Sequence, residues 1–145
     1  MNKTTKNLLI YYVILVLIKF FLSFLIQMPN AFSDDYAYLQ MSKNFYDHGV
    51  LEVNKEFPFP PLYSILLSPL YILKNTELIY FLAKIFNALL SSAIIFPIFY
   101  LAKDFISEED SFKTTILISL IPTIFVFTFY VMSENLFFLL FTLSI

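Results

Sequence analysis

Long apolar runs alternate with short polar stretches along the chain, and the runs have the length that crosses a bilayer. The first, "LLIYYVILVLIKFFLSFLIQM", covers residues 8–28. A helix rises about 1.5 Å per residue, so this run spans a hydrocarbon core of about 30 Å. Similar runs follow at 79–102 and 114–132, and an apolar run at 135–145 stops at about half that length. We therefore predict membrane-spanning helices at the first three runs and the start of another at the last.

The polar stretch after the first run, within a loop predicted at 33–75, has the pattern of a short helix. Ser33 can cap a helix whose first turn holds Asp34 and Asp35, where the helix dipole favours acids. Gly49 favours a helix end. Side chains at helical spacing between them are Tyr38, Met41, Ser42 and Phe45. This pattern predicts an amphipathic helix lying on the membrane surface.

The next stretch, "FPFPPLYSILLSPLYIL", is apolar but rich in proline. Its run is short for a span, and Pro60, Pro61 and Pro69 remove backbone donors and disfavour a continuous helix. We predict an interfacial or re-entrant helix, whose freed backbone groups must be satisfied by protein or water. A complete but kinked span is the alternative.

Composition places the chain in the membrane class. Of its 145 residues 59% are hydrophobic, 20% aromatic and only 14% charged, and a soluble domain of this size could not bury so much apolar surface. The net charge of -2 gives no reason to expect nucleic acid as a partner, and the absence of Cys excludes disulfides and thiolate metal sites. Lys19 interrupts the first run, so it either faces other helices or water, or extends toward the interface.

The basic head and the first run predict an uncleaved signal anchor with a cytoplasmic N-terminus. Lys3 and Lys6 precede the run, which is longer than a signal-peptide core and lacks a cleavage site after it. The charged loop at 103–113 is then cytoplasmic and the loop at 33–75 extracytoplasmic. The count of lysines over both sides does not decide the orientation, because each side receives four in this topology when Lys3 and Lys6 are included.

In this topology four ionisable residues share the outer membrane face: Asp34, Asp35, Lys84 and Glu134. Adjacent carboxylates can supply a general base or hold a divalent cation, and a lysine can neutralise a phosphate. The same residues also have plainer interpretations. The two aspartates can simply begin a helix, and Lys84 and Glu134 can mark a membrane boundary. His48, like Asp35 a weak metal candidate, can complement the end of a helix dipole.

An ordered set of short motifs adds a family resemblance. These motifs are "DDYAY" at 34–38, "NFYDHGVL" with His48 and Gly49, "PPLY" followed by Pro69, "AKIFNALL" with Lys84, "YLAKDF" with Lys103, and "MSENLFFLLF" with Glu134. In this order the chain resembles the N-terminal part of the GT-C superfamily of integral membrane glycosyltransferases. The branch it resembles contains protein O-mannosyltransferases, aminoarabinose transferases of lipid A and RgtA/B/C/D-like enzymes. Asp35 departs from the pattern, since Glu is common at that position.

The resemblance implies an all-α polytopic protein of the plasma membrane, a helix bundle with juxtamembrane helices in an extracytoplasmic loop. It implies transfer of a sugar from a polyprenyl-phosphate donor to a lipid, glycan or protein acceptor, with inversion at the anomeric carbon. Asp34 would be the base, and Asp35, Tyr38, Lys84 and Glu134 would bind substrate. No cofactor is implied with certainty, although a divalent cation is possible on chemical grounds.

Two further expectations follow from the length and pattern of the chain. GT-C enzymes have more helices, so we expect this chain to be an N-terminal fragment that is inactive alone. The alternative function is a small polytopic membrane protein without catalysis, such as a transporter subunit or an assembly partner. Lys19 and the prolines inside the apolar runs suit that alternative.

Overall fold

The computed structural model describes residues 3–25, 34–51 and 59–145, and within these ranges the secondary structure is entirely helical. The helices are α1 (Lys3–Ser23), α2 (Asp34–His48), α3 (Pro61–Leu67), α4 (Thr76–Ala93), α5 (Ile95–Lys103), α6 (Glu108–Ser119), α7 (Pro122–Val126) and α8 (Glu134–Leu143), with 3-10 turns at Ser68–Leu73 and Phe127–Phe129. The prediction of an all-α chain is confirmed for these residues. The predicted cap at Ser33 and the end of the first run at 26–28 lie outside them.

Within the described residues, two helical stretches are long and apolar enough to cross a membrane. They are α1 and the 28 residues of α4 and α5 together, Thr76–Lys103. The inner face of α1 is formed by Leu8, Leu15, Lys19 and Ser23, which are buried. Its outer face exposes apolar side chains: Leu9, Ile10, Val13, Ile14, Leu17, Ile18 and Phe21. An apolar outer face is stable against lipid but costly against water.

The second predicted run is helical throughout except for a break at Ile94. Helix α4 begins at Thr76, ahead of the predicted start, because the Asn75 side chain accepts the Leu78 N–H at 3.0 Å and caps it. Pro97 has no N–H for the carbonyl four residues earlier, at Ala93, and this accounts for the break between α4 and α5.

The third predicted run is not a straight helix over 114–132. Helix α6 and the segment Pro122–Phe129 meet at 64°. Pro122 causes the break, because proline disfavours helical backbone in the residue before it, and Ile121 has ψ 129. The pair therefore forms either a broken span or a re-entrant loop.

The predicted cytoplasmic loop at 103–113 is shorter in the structure. Helix α6 already begins at Glu108, because the Ser107 hydroxyl accepts the Asp110 N–H at 3.2 Å and caps it. The first turns of this helix thus contain most charged residues of the predicted loop: Glu108, Glu109, Asp110 and Lys113. Lys113 pairs there with Glu109 at 2.7 Å.

The polar stretch forms the predicted amphipathic helix. Helix α2 buries Ala37, Tyr38, Met41 and Ser42 along one face. It ends at Gly49, whose φ of +69 lies in the left-handed region and whose N–H bonds to the Phe45 carbonyl at 2.9 Å. The proline-rich stretch forms α3 and the following 3-10 turn, an apolar helix shorter than a membrane span, which favours the interfacial or re-entrant alternative.

In the described part of the chain, two apolar cores hold the helices together. One joins α2, α3, α4 and α8 through Tyr38, Tyr63, Leu67, Tyr80, Ala83, Val131 and Leu136. The other joins α1 to the α4–α5 break through Leu8, Leu15, Ile94, Ile95, Ile98 and Phe99. The first core surrounds the candidate site.

Lys19 faces the other helices and is fully buried, so it does not extend toward the interface. Its ammonium donates to the Ser91 carbonyl at 3.2 Å and to the Ser91 hydroxyl at 3.1 Å. Thr128 donates to the same hydroxyl at 2.9 Å. Lys19 thereby links α1, α4 and the 3-10 turn at Phe127–Phe129.

Candidate functional site

A cluster of charged and polar side chains lies in the first core, where α2, α3, α4 and the start of α8 meet. Asp35 and Asn87 are completely enclosed, and Lys84 is 3% exposed. Buried charges are costly unless they are paired and hydrogen-bonded, so the fold must compensate them locally. The structure brings together the sequence-predicted residues Asp35, Tyr38, Lys84 and Glu134.

Lys84 connects three helices. Its ammonium donates to the carbonyl of Ser23, the last residue of α1, at 2.9 Å. It lies 4.6 Å from the centre of the Tyr80 ring and 5.8 Å from that of Phe24, in cation–π geometry. The carboxylate of Asp35 acts on Lys84 electrostatically. A cation at the last carbonyls of α1 is also favoured by the helix dipole, so Lys84 fixes the end of α1 against α2 and α4.

Asp34 and Asp35 have different environments although they are adjacent. Successive residues of a helix point about 100° apart. Asp35 turns into the core and is completely enclosed, whereas Asp34 is half-buried and keeps access to the surface. Asp34 also lies close enough for its charge to act on Tyr38. Of the two carboxylates, Asp34 is therefore the one a bound molecule can reach.

Tyr38 links α2 to the start of α8. Its hydroxyl lies 2.7 Å from the Ser133 hydroxyl, which precedes α8 but makes no side-chain cap there. Burial raises the pKa of Tyr38, the Ser133 hydrogen bond opposes this, and the charges of Glu134 and Asp34 add to it. Tyr38 is therefore neutral near pH 7 and serves as a hydrogen-bonding group.

Glu134 sits in the first turn of α8 beside Tyr38 and is half-buried. Its Oε2 atom is enclosed and has no hydrogen-bond partner among the described residues. A carboxylate oxygen in this position gains most from a donor supplied by a bound molecule.

Tyr63 and Asn87 form a second buried link that the sequence did not single out for function. The fully buried Tyr63 hydroxyl donates to Asn87 Oδ1, and Asn87 Nδ2 donates to the Tyr130 carbonyl at 2.7 Å. Burial, opposed by the Asn87 hydrogen bond, holds the pKa of Tyr63 well above its usual range. The available signal was spacing, because Asn87 follows Lys84 by three residues on one helix face.

We expect Tyr63→Phe to lower the free energy of unfolding by about 1–3 kcal/mol, since it leaves Asn87 Oδ1 buried without a donor. Chemical unfolding in detergent micelles measures this. Tyr100→Phe is the matched control, because Tyr100 is 56% exposed on α5 and its loss of a hydroxyl is expected to change stability little. Equal stability of the two variants would show that the Tyr63–Asn87 bond does not support the site.

His48 does not join the cluster. It is exposed at the far end of α2, thirteen residues from Asp35, and a helix places such residues about 20 Å apart. The two weak metal candidates therefore cannot share one ion. Within residues 3–25, 34–51 and 59–145, no group of three or more His, Cys, Asp or Glu side chains is arranged to hold a metal.

Comparison of the chain with protein-family models, with curated protein sequences and with solved structures gives no significant match. A functional assignment therefore rests on the ordered motifs and on the geometry of the cluster.

Proposed function

We propose that this protein is a GT-C type glycosyltransferase, with Asp34 and the neighbouring cluster of Asp35, Tyr38, Lys84 and Glu134 as part of its active site. The observation that supports this most is the different exposure of two adjacent carboxylates: Asp34 is accessible and Asp35 is enclosed near Lys84. In this proposal the chain is a multi-pass protein of the plasma membrane. Its N-terminus is cytoplasmic, and Asp34 lies at the extracytoplasmic face.

The proposed reaction moves a sugar from polyprenyl phosphate to a hydroxyl of a lipid, glycan or protein acceptor. Asp34 takes the proton of the acceptor hydroxyl, whose oxygen attacks the anomeric carbon from the face opposite the phosphate. The bond from that carbon to the phosphate oxygen breaks, and polyprenyl phosphate leaves with the negative charge. The configuration at the anomeric carbon is inverted. A positioned general base of this kind contributes about 10²–10⁴-fold to a rate.

The neighbouring residues have separate roles in this proposal. Lys84 supplies positive charge for the leaving phosphate, and charges act strongly where protein excludes water. Asp35 sets the position of Lys84. Tyr38 donates to substrate oxygen, and Glu134 accepts a hydrogen bond from a sugar hydroxyl through its unpartnered Oε2. Because Lys84 is enclosed and bonded to Ser23, direct contact with the phosphate requires its ammonium to leave that carbonyl.

Donor binding tests this proposal before any transfer is measured. We expect a polyprenyl-phosphate sugar to raise the melting temperature of the full-length protein in detergent, because a ligand at 100-fold its Kd stabilises by about 2.7 kcal/mol. The matching polyprenol, which lacks phosphate and sugar, is expected to have little effect. The Lys84→Met variant should show no rise in melting temperature with the donor. Lys103 is an exposed lysine on α5, so the Lys103→Met variant should show the same rise as the wild type. An equal rise with polyprenol, or no rise with any donor, would contradict a donor site.

A membrane protein without catalysis is the second candidate, and the Lys19 network favours it. An enclosed lysine bonded to Ser91, with Thr128 beside it, resembles the polar groups that line transport paths inside membranes. This candidate predicts no stabilisation by polyprenyl-phosphate sugars, so the donor experiment also separates the two functions.

A further inference from the structure

A groove separate from the enclosed charges runs between α2, the 3-10 turn at Ser68–Leu73 and the start of α4. It has a volume of about 560 Å³, which lies within the range of small-molecule sites, about 300–1,000 Å³. We call it the α2–α4 groove. Four of the chain's ten tyrosines line it: Tyr36, Tyr46, Tyr71 and Tyr80. Such a concentration of one aromatic residue points to a ligand with flat apolar faces.

The polar groups of the groove include both donors and acceptors. Lys43 and Lys74 bring ammonium groups, while Gln40, Asp47 and Thr76 bring oxygen atoms that accept hydrogen bonds. Asp47 is close to Tyr71: burial first, and then the Asp47 charge, raises the pKa of Tyr71 to about 12. The carboxylate of Asp47 offsets part of the positive charge of Lys43 and Lys74, which weakens the attraction of the groove for an anionic ligand. Mixed donors and acceptors beside aromatic rings suit a neutral saccharide, whose C–H faces stack and whose hydroxyls both donate and accept.

The backbone of Lys74, a residue of the groove, has an unusual conformation. Lys74 ends the 3-10 turn with φ 51, in the left-handed region. Glycine or asparagine adopts this conformation at lower cost. Lys74 thus lines the groove from a strained backbone position.

Tyr80 connects the α2–α4 groove to the candidate active site. It lines the groove, and its ring also lies 4.6 Å from the Lys84 ammonium. One ring thus separates a ligand in the groove from the enclosed pair of Asp35 and Lys84. A saccharide bound here lies next to the place where the proposed transfer occurs.

We propose that the α2–α4 groove binds a neutral mono- or disaccharide unit, and, resting on the proposed function, that this unit belongs to a glycan acceptor. Tyr36 and Tyr46 provide the stacking faces, since they are 63% and 42% exposed. The side-chain amide of Gln40, the ammonium of Lys43 and the carboxylate of Asp47 bind the hydroxyls of the saccharide.

Ligand-observed NMR on the full-length protein in detergent tests the groove, with cellobiose, lactose, mannobiose and chitobiose as probes and no donor lipid present. We expect saturable binding of at least one probe. Tyr36→Ala and Tyr46→Ala should each raise the Kd of that probe about 3- to 10-fold, which corresponds to the loss of the binding free energy of one aromatic contact. Tyr100 is an exposed tyrosine on α5, outside the groove, so the Tyr100→Ala variant should bind the probe like the wild type. Because no donor is present, saturable binding of a probe confirms the groove even if sugar transfer fails.

Two outcomes would overturn the groove proposal. One is that no probe binds, or that the probe binds Tyr36→Ala and Tyr46→Ala as well as it binds the wild type. The other is that phosphatidylglycerol in nanodiscs, but no sugar, occupies the groove and is lost in Lys43→Gln and Lys74→Gln. That result would identify an anionic headgroup site instead.

Discussion

Asp34→Asn in the full-length protein is expected to reduce sugar transfer by about 10²–10⁴-fold, the contribution of a positioned general base. Asparagine has nearly the same shape but cannot take a proton from the acceptor hydroxyl. Asp34 is half-buried in the first turn of α2, so the fold is expected to tolerate the change. Transfer of a radiolabelled sugar from polyprenyl phosphate, measured at equal protein in membranes, gives the ratio.

The control for Asp34→Asn is Asp104→Asn, because Asp104 is an exposed acid between α5 and α6. It should leave transfer unchanged. The two variants should also insert into membranes equally well. Retention of full transfer by Asp34→Asn would remove Asp34 from the proposed mechanism.

Asp35→Asn and Lys84→Met are each expected to lower the free energy of unfolding by about 3–5 kcal/mol, because each leaves the other charge buried. Both side chains are almost completely enclosed. The double variant removes both charges, so its loss is expected to fall short of the sum of the single losses by about 0.5–3 kcal/mol. Unfolding of the four proteins in detergent micelles measures this coupling.

The exposed pair Glu109 and Lys113 on α6, 2.7 Å apart, is the matched control for that cycle. Solvent screens it, so its coupling should be much weaker. If the effects of Asp35→Asn and Lys84→Met simply add, the two charges do not stabilise one another, and the proposed positioning of Lys84 by Asp35 fails.

The sequence predicts the positions of the helices well where apolar runs and capping residues determine them. The run at 8–28 contains most of α1, and the run at 79–102 lies within α4 and α5. The amphipathic helix is found from the spacing of Tyr38, Met41 and Ser42, which are all buried in α2. These features depend on neighbours within a few residues, which a single sequence displays directly.

The shape of the third run needed tertiary information. Pro122 marks a disturbance in the sequence, but proline can kink a helix or end it, and only the structure gives the 64° bend. The start of α6 also differs from the prediction, because the helix begins within the predicted loop at 103–113. A run of charges suggested a loop, whereas Ser107 caps a helix there, a signal that was present in the sequence.

The sequence selected candidate site residues but not their arrangement. Ordered motifs selected Asp34, Asp35, Lys84 and Glu134, which lie up to a hundred residues apart. They did not show that Asp35 is enclosed while Asp34 is accessible, because that difference depends on how α2 rotates against α4. The Tyr63–Asn87 link was missed for the same reason, since its partners come from different helices.

Sugar transfer by the purified full-length protein in liposomes is the most direct test of the proposed function. The liposomes contain polyprenyl phosphate carrying a radiolabelled hexose or pentose, and a candidate acceptor is added. We expect the label to move to the acceptor with inverted anomeric configuration, and we expect liposomes with the Asp34→Asn variant to show no such movement. Label that stays on polyprenyl phosphate with every donor, in the presence of correctly folded protein, would contradict glycosyl transfer as the function.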